Sequence, residues 1–310
     1  MKFKIDLNIP IKRINEDWPS FFMIGSCFAN VQAQRMKSLR LNVDSNPFGI
    51  IYNPSSVSTL LDRISNQKLY KPEEFISYNE EYLSWEHHGK FKYDSIKDAV
   101  STSNAILEKS RVFLKTTNAI VITLGTSLVF TYNNSIVANC HKLSNKQFKR
   151  KQLSARETSE HILACISHIR SINKTAEIVF TVSPIRHIRS GITESSRSKA
   201  VLISSIYEAL EKVQDQATSY FPSYEIFIDE LRDYRFVKED LVHPTDVASL
   251  YIWDKFKNTY FAKSTLELLA DIQKLNTLES HRSRNQEEHE ASINKFTQSL
   301  KLKYPNSSIL

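Results

Sequence analysis

Short apolar runs alternate along the chain with longer segments whose apolar residues recur at helical spacing. The runs at 21–25, 119–124 and 177–182 are rich in β-branched and aromatic residues, which predicts buried strands of the parallel-sheet type. Weaker runs predict a short strand at 41–43 and a fifth strand at 224–229. Between these strands, the spacing predicts helices at 27–39, 55–64, 94–117, 154–172, 196–220 and 245–260.

The alternation of strands and helices predicts an α/β fold. Successive strand–helix–strand units form a parallel sheet with helices on both faces and right-handed crossovers. We therefore expect a three-layer α/β/α sandwich around a central, mainly parallel five-stranded sheet. With 310 residues, 41% of them hydrophobic, the chain can bury a large core, and we place one main domain at residues 1–262.

Three segments depart from this alternation. Two apolar runs, at 128–132 and 135–138, flank Asn133-Asn134 and predict a hairpin that carries Asn139-Cys140-His141 back toward the sheet edge. Residues 66–92 are polar and aromatic without a clean period. They form either an insertion that walls a substrate pocket or an irregular surface loop anchored by its aromatic side chains. From residue 263 the spacing predicts a helical C-terminal extension, which either folds back on the domain or mediates self-association.

Composition narrows the possible functions. The chain has only 5 glycines and no glycine-rich phosphate loop, so we expect no organic cofactor. The net charge of +7 is modest. A basic run at 142–151 fits a solvated face or a patch for an anionic substrate, and no nucleic-acid-binding signature accompanies it. We therefore expect no nucleic acid partner.

The cysteine content, the N-terminal residues and the lengths of the apolar runs narrow the possible functions further. The three cysteines fit neither a disulfide framework nor a zinc site, so we expect no metal. Residues 1–6 lack the apolar core of a signal peptide, and no run approaches the length of a membrane span. From this we expect a soluble, cytoplasmic protein without a membrane partner.

Two motifs far apart in the sequence carry the candidate chemistry. Ser26 follows the first predicted strand, where open α/β sheets build their sites, and its amide at a helix start could help to bind an oxyanion. Downstream, Asp240 precedes His243 by three residues, and Pro244 fits the first position of the next helix. A histidine can take the proton of a serine hydroxyl, and a carboxylate on its other ring nitrogen fixes the tautomer.

Cys27 offers an alternative nucleophile beside Ser26. A thiol paired with His243 would serve the same chemistry. We favour Ser26, because a residue one step into a helix points elsewhere and free cysteine often packs as a small apolar side chain.

The motifs resemble those of a known family. Residues 25–29 spell Gly-Ser-Cys-Phe-Ala, the signature that names the GSCFA family, which looks like a branch of the SGNH (GDSL-like) hydrolase superfamily. Further similar blocks, spread over about residues 20–260, lie at 46–54, 123–127, 139–142, 181–187, 229–235 and 240–244. The resemblance implies a flavodoxin-like sheet of strand order 2-1-3-4-5, with Ser26, Asp240 and His243 as the catalytic triad.

The chain departs from the superfamily pattern at two places. Gly25, and no aspartate, precedes Ser26, and the block at 123–127 has no asparagine to donate to an oxyanion. We therefore expect the amides of Ser26 and Gly49 to hold the oxyanion. A polar group is expected to complete the set, with three candidates: Thr126, Ser127 or Asn139. The candidates for substrate contact are His141, Arg186 and His187.

These observations predict a serine-dependent esterase or acyltransferase. Its expected substrate is a carboxylic ester, of the O-acetyl type, on a small molecule or a glycan. One alternative is a catalytically inactive SGNH-like module that binds an acylated or carbohydrate ligand. Another is an interaction protein that works through its C-terminal helices.

Overall fold

The computed structural model describes residues 5–305 and 307. The predictions for residues 1–4 at the N-terminus and for residues 306 and 308–310 of the C-terminal extension lie outside the described residues. The strands are β1 (Phe21–Gly25), β2 (Val43–Ser45), β3 (Ile76–Tyr78), β4 (Glu81–Leu83), β5 (Ala119–Leu124), β6 (Leu128–Tyr132), β7 (Ser135–Val137), β8 (Lys149–Gln152), β9 (Glu177–Val182) and β10 (Thr218–Phe221). The helices are α1 (Cys27–Ser38), α2 (Pro54–Ser65), α3 (Ile96–Thr116), α4 (Ala155–Ile172), α5 (Ile192–Val213), α6 (Ser223–Glu225), α7 (Asp246–Tyr260), α8 (Lys263–Ser280) and α9 (Gln286–Lys303).

A five-stranded parallel sheet forms the centre of the molecule. Its order is β10-β9-β5-β1-β2, which is the predicted order 2-1-3-4-5 when the strands of this sheet are counted along the chain. β1 pairs with β5 over its whole length, from Phe21 opposite Ala119 to Gly25 opposite Thr123. The predicted α/β sandwich is confirmed, and the sheet's first strand ends where Ser26 begins.

Each face of the sheet carries its own hydrophobic core. Ile120 and Ile122 of β5 face one core, which is built with apolar residues of α2, α3, α4 and α5. Val121 faces the other core, which α1, α7 and α8 complete. Alternating strand residues thus bury both faces of the sheet, as period-two patterning requires.

The predicted fifth strand at 224–229 is wrong. That segment is helical: α6 is followed directly by a π-helical turn at Ile226–Glu230. The fifth strand is β10, which lies in the segment predicted as the end of a helix, because α5 stops at Val213 and Gln214 has a left-handed φ of 49°. A short apolar run fits both periods, and here Ile226, Phe227 and Leu231 are buried on one helical face.

The predicted hairpin is confirmed, and a third strand extends it. β6 and β7 pair antiparallel around Asn133 and Asn134, both with left-handed φ. β8 pairs antiparallel with the other edge of β6. β8 contains the end of the basic run, and the side chains of Lys149, Arg150 and Lys151 are exposed, as both interpretations of the run require.

The segment 66–92 is anchored by its aromatic residues. Tyr70, Phe75 and His87 are buried beside Phe48, whose ring stacks on His87 with centroids 4.5 Å apart. Arg63 of α2 holds the same segment through Glu86, at 2.8 Å. The described contacts show that the aromatic rings anchor this segment, and its role as the wall of a substrate pocket stays a prediction.

The C-terminal helices fold back on the domain. Leu268, Leu269 and Ile272 of α8 are buried in the second core. α9 packs on α8, where Asp271 accepts hydrogen bonds from Lys303 at 2.7 Å and the Tyr304 hydroxyl at 2.9 Å. Among the described residues, no helix has the length and apolar character to cross a bilayer. Self-association through α8 and α9 stays a prediction.

Candidate functional site

The junction of β1 and α1 places Ser26 at the carboxyl edge of the sheet. Gly25 has a φ of 138°, and a Cβ on this residue would lie 2.1 Å from the carbonyl oxygen of Thr123. The amide of Ser26 donates to that same oxygen at 3.0 Å. The close approach of β1 to β5 therefore requires glycine before the serine, and it fixes the direction in which α1 leaves the sheet.

Ser26 itself is shut away from solvent. Its side chain is 2% exposed, and Oγ is buried with no hydrogen-bond partner among the residues that the structure describes. Ser26 is the N-cap residue of α1, yet its hydroxyl makes no capping bond. Ser26 and His243, two members of the expected triad, therefore share no hydrogen bond in this structure.

The predicted pairing of Asp240 with His243 is present in the structure. Oδ2 of Asp240 lies 2.6 Å from Nδ1 of His243, and Oδ1 accepts the amides of Val242 and His243, each at 2.9 Å. Those two amides, His243 first, and the imidazole lower the pKa of Asp240 to about 2. Both side chains are about half exposed, so Asp240 stays ionised across the physiological range and orients the histidine at the rim of the sheet.

The loop that carries this pair is itself closed by backbone contacts. The amide of Lys238 donates to the carbonyl of His243 at 2.8 Å, and Val237 forms a β-bridge with Pro244. Pro244 is not the first residue of the following helix, as predicted, because Thr245 caps α7 by accepting the amide of Ala248. Since the proline is used in the bridge, the helix begins two residues later, at Asp246.

His243 faces Cys27 across the site. Its Nε2 lies 4.0 Å from Sγ of Cys27, the first residue of α1. Burial raises the pKa of the Cys27 thiol, and the amides of Cys27 and Phe28, together with the charge of Lys199, act in the opposite direction. The sequence argument that residue 27 points away from the site is therefore wrong, because the first residue of α1 turns its side chain toward the loop of Asp240 and His243.

The two amides predicted to hold an oxyanion already have acceptors. Ser26 donates to Thr123, and Gly49, with a φ of 82°, donates to the carbonyl of Asn46 at 2.7 Å. The amides of Cys27 and Phe28, in the first turn of α1, receive no capping bond from the Ser26 side chain, and both lie beside the Cys27 sulfur. These two are the donors available beside the sulfur.

Thr126 and Ser127 tie the strand end to α5. The Thr126 hydroxyl lies 2.7 Å from that of Ser198, and the Ser127 hydroxyl donates to the carbonyl of Ser198 at 3.1 Å. Both side chains are buried. Their hydroxyl groups therefore hold the fold together at this point rather than facing the Cys27–His243 pair.

Asn139 and His141 lie against the segment 66–92. Oδ1 of Asn139 accepts the amide of His141 at 2.8 Å, and Nε2 of His141 lies 2.7 Å from the carbonyl of Ser84. Burial lowers the pKa of His141. The structure thus gives this turn a role in anchoring. Burial, followed by the nearby thiols of Cys140 and Cys27, raises the pKa of Tyr52.

His187 stands on the same edge as His243. Its ring stacks on Tyr52 with centroids 4.8 Å apart, and a Cβ on Gly125 would lie 3.0 Å from its Nε2. Burial, followed by the charges of Lys199 and His243, lowers the pKa of His187 to about 4. A neutral imidazole at this position can donate or accept a hydrogen bond without carrying charge into the site.

Lys199 is a site residue that the sequence analysis missed. The side chain on α5 is 1% exposed, and Nζ donates to the carbonyl of Ser183 at 2.7 Å. Burial lowers its pKa to about 7, and Arg186 acts in the same direction. Arg186 is half-buried, and no described residue accepts a hydrogen bond from its buried Nε. The sequence pattern could have indicated this residue. Lys199 falls on the buried face of an amphipathic helix, in line with Ser195, Leu202 and Ile206.

Comparison with known proteins identifies the family. The GSCFA family model matches residues 20–256, which confirms the resemblance. No curated protein matches the chain. Among solved structures, the chain is similar to an acetyl xylan esterase (Est2A) from the rumen bacterium Butyrivibrio proteoclasticus, at 14% identity and a TM-score of 0.35, over 70% of this chain and 56% of that one. The chain thus spans little more than half of the esterase's length, and we base no functional argument on this distant likeness.

Proposed function

The chain belongs to the GSCFA family, and we propose that it is an esterase or acyltransferase acting on a carboxylic ester. One observation carries the proposal: Asp240 orients His243, whose Nε2 points to the start of α1, where Ser26 and Cys27 lie. A base held by a carboxylate and aimed at a nucleophile is the arrangement that acyl transfer requires.

In the proposed reaction, His243 takes the proton of the nucleophile as it attacks the ester carbonyl. The same nitrogen then gives that proton to the departing alkoxide, and Asp240 stabilises the imidazolium between the two steps. The amides of Cys27 and Phe28, in place of those of Ser26 and Gly49, are the proposed donors to the oxyanion. Water or an acceptor hydroxyl then releases the acyl group, which gives hydrolysis or transfer.

The proposed substrate is an O-acetyl ester of a small molecule or a glycan. Neutral His187 and the half-buried Arg186 flank the site, and we propose that they contact the alcohol part of the substrate. Both are polar groups with free hydrogen-bonding capacity on one rim, which suits a hydroxyl-rich ligand.

Ester turnover by a base-deleted variant tests the proposal. We expect His243→Asn to lower kcat/KM for p-nitrophenyl acetate and for an acetylated sugar by about 10²- to 10⁴-fold, the usual contribution of a general base. His281→Asn, an exposed histidine after α8, is the matched control and should leave turnover unchanged. Equal rates for wild type and His243→Asn would show that the proposed function is wrong.

A binding module without catalysis is a second candidate. The closed environment of Ser26 and the occupied amides of Ser26 and Gly49 favour it. Such a module would bind an acetylated sugar without consuming it, with the same affinity in wild type and His243→Asn. Calorimetric titration, run alongside the turnover assay, separates the two candidates.

A further inference from the structure

Two possible nucleophiles stand one residue apart at the start of α1, and the structure separates them. His243 Nε2 approaches Sγ of Cys27, at 4.0 Å, while the hydroxyl of Ser26 is buried and has no partner among the described atoms. Resting on the proposed function, we infer that Cys27, and not Ser26, is the catalytic nucleophile, and that the acyl-enzyme is a thioester.

Access also favours Cys27. An ester carbonyl must come within bonding distance of the nucleophile, and the Ser26 side chain is only 2% exposed. Cys27 is partly exposed. A substrate that enters from the half-exposed side of His243 meets the sulfur first, whereas Ser26 is buried behind it.

The start of α1 suits a developing thiolate. Cys27 is the first residue of the helix, and the amides of Cys27 and Phe28 act on its sulfur, where they lower the pKa of the thiol. No acidic residue lies in the first turn to oppose them. Thiols at helix N-termini are stabilised as thiolates by this arrangement.

Lys199 and burial act on the sulfur in opposite directions. Lys199 is buried at the same edge, and its protonated form favours the thiolate. Burial of Cys27 has the opposite effect and keeps the resting thiol protonated. The thiol therefore depends on His243 to remove its proton during attack, which explains why a carboxylate-held imidazole faces it.

The reaction balances with these groups alone. As the Sγ–C bond forms, the thiol proton passes to Nε2 of His243; the C–O bond of the ester then breaks, and the alkoxide takes that proton. Water or an acceptor hydroxyl next attacks the thioester and gives its proton to His243. The C–S bond breaks, the thiolate takes the proton back, and the enzyme returns to its starting state.

The acyl-enzyme itself distinguishes the two nucleophiles. Protein mixed with p-nitrophenyl acetate is quenched in acid, digested, and fragmented by mass spectrometry to place the acetyl group on residue 26 or 27. We expect it on Cys27, and we expect neutral hydroxylamine to remove it, because thioesters react under conditions that leave serine esters intact.

Variant kinetics supply a second readout. Cys27→Ala should lower ester turnover by about 100-fold or more, as loss of a nucleophile does, whereas Ser26→Ala should retain turnover of the wild-type order. Cys27→Ser conserves shape and guards against misfolding, and thermal melting of each variant confirms the fold. An acetyl group on Ser26, or full turnover by Cys27→Ala, overturns the inference while the effect of His243→Asn still supports the proposed function. If substitution of His243, Cys27 or Ser26 leaves turnover unchanged in every case, both the inference and the proposed function are wrong.

Discussion

Replacing the buried Lys199 with methionine should change the pH dependence of stability. In the native protein, burial lowers the pKa of Lys199 from 10.5 to about 7. Between these values the unfolded chain carries the proton and the native chain does not, so the free energy of unfolding rises with pH in this window. Below about pH 7 both states are protonated, and the native state then holds a buried charge.

The size of the effect follows from the pKa difference. Each unit of pKa corresponds to about 1.36 kcal/mol, so the shift from 10.5 to about 7 amounts to up to about 5 kcal/mol of wild-type stability gained as pH rises through the window. Methionine fills a similar volume without a charge. Lys199→Met should therefore be more stable than wild type near pH 6, and the difference should shrink steadily toward pH 10.

Urea unfolding at several pH values between 6 and 10 measures this difference. Lys212→Met serves as the control, because it removes an exposed lysine from the same helix. Its free energy of unfolding should follow the wild-type curve at a constant offset. Parallel curves for wild type and Lys199→Met would refute the reasoning, since they would mean that burial does not shift the lysine's proton affinity.

Three further predictions concern the β1–α1 junction, the Asp240–His243 pair and the packing of α9 on α8. Gly25→Ala should cost about 2–4 kcal/mol by clash and backbone strain, measured by thermal melting; Gly191→Ala shares the positive φ but meets open space, so an equal loss there would contradict the clash. Asp240→Asn should lower ester turnover by at least about 100-fold, because the carboxylate that orients His243 is lost, while the asparagine Oδ1 can still accept the two loop amides; wild-type turnover would count against its orienting role. Asp271→Asn should speed amide exchange in α9 alone, and unchanged protection would show that Lys303 and Tyr304 do not hold the helix.

The sheet was predictable because its strands are long and buried on both faces. β5 and β9 are six-residue runs rich in β-branched residues, and their short length and residue types favour a strand over a buried helix. β10 begins with Thr218 and Ser219, whose polarity hides a strand that is buried through pairing with β9 and packing against α7. The apolar run that follows attracted the strand prediction, although tertiary contacts make it helical.

The candidate site was predictable where its members are neighbours in sequence. Asp240 and His243 meet within one turn, so their spacing already implied their contact. The direction of the Cys27 side chain could not be predicted in this way. The angle at which α1 leaves β1 decides whether Ser26 or Cys27 faces the loop that carries Asp240 and His243. That angle depends on the pairing of Gly25 and Ser26 with Thr123, a contact almost one hundred residues away.

The closed loop around Asp240 and His243 can keep this pair intact even where the pair is too far from Cys27 for catalysis. Its hydrogen bonds are internal: the carboxylate holds the amide and ring of His243, and Lys238 closes the turn. The loop can therefore shift as a rigid unit relative to α1. Such a shift would keep the Asp240–His243 hydrogen bond and change the distance from His243 to Cys27. A spectroscopic signal of an intact Asp240–His243 hydrogen bond would then show only that this pair is correctly formed. The distance between Nε2 and Sγ would show that the active site is complete.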